Sequence, residues 1–146
     1  VRVAPGTLLA GRYLVGDEIG RGGMGAVYYG TDLRTGGAVA VKVLLPVYAR
    51  DPVYRERLRR EAQAAAALTS PRVVRVVDLD AGAEPPYIVL EFVAGETLQE
   101  RLRREGRLPP GEALAIVLEI ARALEDAHAH GVVHRDLKPQ NVKLVD

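Results

Sequence analysis

The run Gly20-Arg21-Gly22-Gly23-Met24-Gly25 constrains this chain more than any other stretch, because Ala26-Val27-Tyr28-Tyr29 follows it directly. The glycines fit G-x-G-x-x-G. In a dinucleotide-binding fold that pattern opens a helix and precedes, about twenty residues later, an acidic residue. Here strand-forming residues come next, and the stretch Val43-Leu44-Leu45-Pro46 holds no acid. The glycines therefore join two strands, not a strand and a helix. Such a turn offers backbone N–H groups that can fold over an anion without side-chain obstruction. An ordinary glycine-rich hairpin uses the same residues, so the motif alone leaves both readings open.

The remaining pattern puts strands first and helices later. Arg12 to Ile19, Ala26 to Thr31 and Val39 to Leu45 read as strands, with a second glycine turn at Gly36-Gly37. Asp51-Pro52 offers an N-cap and a first-turn proline for a helix that runs to about Leu68 and stops before Pro71. Val73 to Leu79 and Tyr87 to Phe92 read as two more strands. A short helix follows near Thr97 to Glu105, and a long one from about Gly111 to His130, with Gly131 as its terminator. The expected class is α+β: a small antiparallel sheet with one helix, a hinge, then a helical region. The expected divisions are an extension over 1–10, a sheet-rich lobe over 11–92, and the hinge and start of a helical lobe over 93–146.

Composition excludes several classes. Twenty basic and nineteen acidic residues leave a net charge of +1, without the basic excess of a nucleic-acid binder. The absence of cysteine removes disulfide frameworks, thiolate metal sites and cysteine nucleophiles. No apolar run approaches about eighteen residues, and the first residues lack a signal-peptide pattern. The expectation is a cytoplasmic chain with no membrane segment, whose first residue, Val1, is not the natural start. His128 and His130 lie two apart, share no helix face, and do not read as a metal pair.

Lysine is scarce, with three (Lys42, Lys138, Lys143) against seventeen arginines. In Val39-Ala40-Val41-Lys42, alternation puts Ala40 and Lys42 on one face of a strand. On the helix after Asp51, Tyr54, Leu58, Glu61, Ala65 and Leu68 form one stripe at helical spacing. Glu61 is then a carboxylate within a buried face, which needs a cation, and Lys42 is the candidate. Arg55, Arg57, Arg59 and Arg60 read as the solvated face of the same helix. The densest cluster is His134-Arg135-Asp136-Leu137-Lys138-Pro139-Gln140-Asn141, where Pro139 blocks a helix. Asp136 can accept a hydroxyl proton, Lys138 can neutralise a phosphate, and Asn141 offers a carbonyl oxygen to a hard cation.

Taken in order, these four signals resemble a protein kinase of the serine/threonine type. The run from Gly20 to Tyr28 is similar to the bacterial, eukaryote-like branch. The likeness extends from about Gly11 to Asp146 and covers about the first half of a catalytic domain. It implies a protein-kinase-like fold, ATP and Mg²⁺ as cofactors, and a protein Ser/Thr hydroxyl as acceptor. By the same resemblance, Ile19, Gly20, Arg21, Gly22, Gly23, Met24, Gly25 and Val27 cover the ATP phosphates. Lys42 holds the α- and β-phosphates and pairs with Glu61. Val27 and Ala40 pack on the adenine, Leu90 is the gatekeeper, the Glu91 carbonyl and Val93 amide meet the adenine edge, and Glu96 reaches the ribose. Asp136 is implied as the base that orients the substrate hydroxyl, Lys138 as a contact to the transferred phosphate, and Asn141 as a Mg²⁺ ligand. The pair Lys138-Pro139 resembles serine/threonine kinases more than tyrosine kinases.

The family's Asp-Phe-Gly, activation loop and Ala-Pro-Glu do not occur within these residues, so the chain reads as cut before them, with Asp146 in the turn of a hairpin after Asn141. Lys143 stands where many relatives place an apolar floor for the adenine, a role its aliphatic stem can fill. The helix from Glu112 to His130 is apolar nearly all round, which predicts an exposed apolar patch and either self-association or chaperone binding. Two other readings remain. One is a non-catalytic nucleotide-binding remnant or pseudokinase-like interaction module. The other is a small-molecule phosphotransferase of related fold, a class that usually lacks the Asp-Leu-Lys-Pro-x-Asn string.

Overall fold

Alternating small, β-branched and aromatic residues pair into an antiparallel sheet of six strands. These are β1 (Leu8–Leu9), β2 (Tyr13–Gly22), β3 (Gly25–Asp32), β4 (Ala38–Leu44), β5 (Val76–Asp80) and β6 (Tyr87–Glu91), in the order β1-β2-β3-β4-β6-β5. The computed structural model describes residues 3–22, 25–68, 70–132 and 139–145, and of Glu61 and Gln140 the backbone alone. Contacts divide the chain into two units, Val1–Ala67 with Arg75–Phe92, and Leu68–Val74 with Val93–Asp146.

In the first unit, one face of the sheet is closed. Tyr13, Val15, Ala26, Tyr28, Val39, Val41, Val43, Tyr87 and Val89 are buried there together with Val3 and Leu9. Val41 and Val89 face each other across β4 and β6 with no exposed surface, and each such burial stabilises by about 1.5–3 kcal/mol. β2 slips twice against β3, between Val15 and Glu18 and between Glu18 and Gly20. Bulges of this kind bend a strand, here just ahead of the glycine turn.

Two helices complete the unit, α1 (Pro46–Ala49) and α2 (Pro52–Ala66), each with proline in its first turn. The Asp51 carboxylate accepts from the Val53 amide at 2.9 Å, as the N-cap reading requires. α1 has no counterpart in the expected elements, although Pro46 signals it. β5 begins at Val76 and not Val73, because the Val73 amide turns back to the Ser70 carbonyl at 3.2 Å. The apolar members of the expected stripe within α2 are the ones the structure covers. Tyr54, Leu58 and Ala65 are half-buried, and Ala62, at 3% exposure, takes the deepest place. Ala62 thus joins this covered side of the helix, and the Glu61 side chain lies outside the described residues.

In the second unit, β7 (Glu96–Thr97) pairs antiparallel with β8 (Lys143–Leu144), and α3 (Leu98–Glu105) begins under a Thr97 cap that accepts from the Glu100 amide at 3.1 Å. The long helix α4 (Pro110–Ala129) ends where expected. Gly131 adopts φ +75°, its amide donates to His128 and that of Val132 to Ala127, the paired bonds that close a helix on glycine. Ser70 and Arg72 tie the 68–74 segment to α4 through Asp126 (2.7 Å) and Glu119 (3.0 Å). Leu114, Val117 and Leu118 on α4 stand exposed in one row, as its apolar composition predicts. Among the described residues no helix is long and apolar enough to cross a membrane.

Candidate functional site

Residues paired across antiparallel strands present their side chains to the same face. The register therefore decides which candidates meet. Val27, Lys42 and Ile88 form one row across β3, β4 and β6, and Tyr29, Ala40 and Leu90 form the next. Both rows lie opposite the closed core. Lys42 is exposed, while Val27, Ala40 and Leu90 are half-buried. Four candidates from three strands thus share one open sheet face.

Sequence reasoning missed Tyr29 and Ile88 on this face. The signal was present, since Tyr29 lies two residues from Val27 on the same strand. Its ring packs edge-on against Phe92, with centroids 5.1 Å apart and planes at 81°.

The glycine motif lies at the end of the same face. Gly20 pairs with Val27, Arg21 with Ala26, and Gly22 with Gly25, and Gly23 and Met24 lie outside the described residues. A Cβ built on Gly20 would meet nothing within 4 Å, whereas one on Gly25 would sit 2.9 Å from the Val43 carbonyl and 3.4 Å from Cε of Lys42. Glycine at 25 thus leaves the space through which the Lys42 stem runs. Ile19 is half exposed, and Arg21 pairs with Glu18 at 2.6 Å, which raises the guanidinium pKa.

Of the remaining candidates, Glu61 has its backbone in the third turn of α2. Its pairing with Lys42, and Asp136 and Lys138 themselves, lie outside what is described. Leu90 and Glu91 fall in the first unit, where the Glu91 carboxylate accepts from the Arg75 amide at 2.9 Å. Val93, Glu96 and Asn141 fall in the second.

The Glu96 carboxylate accepts from Arg101 and Arg104, each at 2.7 Å, and Arg101 also reaches Glu112 at 2.6 Å. The Arg101 hydrogen bond, with help from Arg104, holds the Glu96 pKa below the usual carboxylate range. Asn141 closes a single 3₁₀ turn, Pro139–Asn141. The residues after it are fastened to the segment after Val93. The Leu98 amide donates to the Val142 carbonyl at 2.8 Å, and Lys143 Nζ to the Gly95 carbonyl at 3.2 Å.

Chemically, the sheet face offers an apolar floor (Val27, Ala40, Leu90) beside one ammonium (Lys42), with open space at Gly20. That combination suits a flat apolar ring carrying an anionic tail. Among the described residues no group of three or more His, Asp and Glu side chains is placed to hold a metal ion.

Known proteins carry the same pattern. The model of the family described as protein kinase domain matches residues 13–146. Serine/threonine-protein kinase PknB of Mycobacterium leprae is 45% identical over 140 residues, covering 93% of this chain and 22% of that protein. PknB of Mycolicibacterium smegmatis is 44% identical, with the same coverage. The crystal structure of the PknI kinase domain of Mycobacterium tuberculosis superposes with a TM-score of 0.84 at 36% identity, over 97% of this chain and 57% of that one. The chain spans about a fifth of the length of the curated relatives it matches. With residues 13–146 under the family model, and with Val27, Ala40, Lys42 and Leu90 on one sheet face, this chain belongs to the protein kinase domain family.

Proposed function

We propose that this chain is the ATP-binding part of a Mg²⁺-dependent protein serine/threonine kinase. The observation that carries the reading is the cross-strand face in which Lys42 lies between Val27 and Ile88, beside Ala40 and Leu90, with its stem running past Gly25. ATP supplies the phosphoryl group when bound, and Mg²⁺ neutralises charge on its phosphates.

The chain's own residues then divide the work. Val27, Ala40 and Leu90 receive the adenine, and the Glu91 carbonyl and Val93 amide orient its edge. Ile19 and the residues from Gly20 to Gly25 cover the phosphates. Lys42, held by Glu61, neutralises them. Asp136 takes the hydroxyl proton of a protein Ser or Thr, Lys138 meets the transferred group, and Asn141 gives an oxygen to Mg²⁺. The chain works in the cytoplasm, and the exposed Leu114, Val117 and Leu118 support self-association, which light scattering over a concentration series would detect.

Transfer from γ-labelled ATP by the full-length protein tests the reading, with a casein-like protein and an aminoglycoside offered as acceptors. Label on the protein is expected, lost by about a hundredfold or more in Lys42→Met and in Asp136→Asn. Label on the aminoglycoside alone would identify a small-molecule kinase, and ATP binding without turnover a non-catalytic module.

A further inference from the structure

Arg55 occupies a place that a helix does not favour for a cation. It is the fourth residue of α2, near the positive end of the helix dipole. It also departs from the solvated face expected for the arginines of this helix. Its side chain is 21% exposed, against 76% for Arg60. Arg55 Nε donates to the carbonyl of Ala49, the last residue of α1. Nη1 donates to the carbonyls of Ala81 (3.2 Å) and Ala83 (3.1 Å), and Nη2 pairs with the Glu84 carboxylate.

One guanidinium therefore joins the end of α1, the start of α2 and the turn between β5 and β6. Only a planar fork with five donors can do this, since a lysine ammonium offers three donors from a single point. The apolar attachment of α2 is thin by comparison, because among its described side chains Ala62 alone is buried. The same helix carries Glu61, about 9 Å further along its axis.

We propose that Arg55 is a positioning residue: its latch on the 81–84 turn sets where α2 stands against the sheet, and so how Glu61 meets Lys42. The inference rests on the kinase reading above. Arg55 contributes through the placement of the helix and not through contact with the nucleotide.

The test compares Arg55→Ala, Arg55→Lys and Glu84→Gln with wild type and Lys42→Met in the full-length protein, by transfer kinetics and by hydrogen exchange. Arg55→Ala is expected to lower kcat about ten- to a hundredfold, with a much smaller change in KM for ATP. Exchange is expected to rise in residues 46–66 and 81–84, while β2 to β4 keep their protection. Arg55→Lys does not restore kcat. Glu84→Gln, which keeps the three carbonyl contacts, raises exchange in the same segments with a smaller kinetic loss. An unchanged kcat in Arg55→Ala, or protection lost evenly across the sheet, would overturn the latch. Failure of the kinase reading has a different mark: Lys42→Met then transfers as well as wild type, which overturns both.

Discussion

Gly25 and Lys42 meet across β3 and β4, so closely that a methyl group on Gly25 would lie 3.4 Å from Cε of Lys42 and 2.9 Å from the carbonyl oxygen of Val43. The first contact can relax by a turn of the lysine stem. The second is to backbone and forces the strands apart.

Gly25→Ala should therefore destabilise the fold by about 1–3 kcal/mol, the usual cost of overpacking, and should also weaken binding of an ATP analogue, since Lys42 is displaced. Gly20→Ala is the control. Its added methyl meets nothing within 4 Å, so its stability should stay within about 0.5 kcal/mol of wild type. Urea unfolding and titration calorimetry on both variants check the pair. Equal stabilities would show that the β3–β4 contact tolerates a side chain.

Tyr13 is fully buried, and its hydroxyl donates to the Asp78 carboxylate at 2.7 Å. Burial, followed by this hydrogen bond, raises the phenol pKa and keeps it neutral. Tyr13→Phe leaves the ring packing intact but takes a donor from Asp78, with an expected loss of about 1–2 kcal/mol. Asp78→Asn keeps an oxygen acceptor and should cost less. Urea midpoints at neutral pH order the two variants.

Acid should act through Asp32. Its carboxyl falls from 3.8 to about 2, chiefly through the Arg12 side-chain hydrogen bond and secondly helped by the Arg34 amide. A folded-state pKa below the unfolded one means that the unfolded chain binds the proton more readily. The stability gained is complete above 3.8 and is lost as pH falls towards 2. Asp32→Asn should flatten the stability curve over that window. Glu56 is also lowered to about 2, by Arg59 first and Arg60 second. It is nearly half exposed, so solvent screens the pair and Glu56→Gln should change the curve less. Thermal melts from pH 2 to 5 would separate the two, and identical curves for Asp32→Asn and wild type would remove Asp32 from the account.

What was legible in the chain was local. Alternation gave the strands and the shared face of Ala40 and Lys42, Asp51-Pro52 gave the start of α2, and Gly131 gave the end of α4. What escaped depends on partners distant in sequence. Nothing near Arg55 announces that carbonyls at Ala81 and Ala83 await it, or that Glu96 will be claimed by Arg101 and Arg104. Ala62 is buried beside Leu58 and Ala65 without having been expected there, because helical periodicity fixes a face only to about one residue. The β7–β8 ribbon escaped because two-residue strands carry no periodicity at all.

That ribbon makes Gly95 the sharpest test of how Asn141 is held. Gly95 adopts φ +128°, and a Cβ there would fall onto the Leu144 carbonyl oxygen. Leu144 pairs with Glu96, and Lys143 with Thr97, so the clash strikes the strand that begins two residues after Asn141. Backbone strain at such a φ costs about 1–3 kcal/mol for a non-glycine residue, and the collision with backbone adds to it. Gly95→Ala should therefore open the β7–β8 pairing. The Leu98 amide, which donates to Val142 at 2.8 Å, should lose its protection from hydrogen exchange, while the amides of β3 and β4 keep theirs. If Asn141 serves in phosphoryl transfer, the variant should also need more Mg²⁺ for half-maximal rate, with its KM for ATP changed less. A variant with native exchange at Leu98 would mean that Leu144 yields without cost, and that the segment holding Asn141 is fixed by something other than this ribbon.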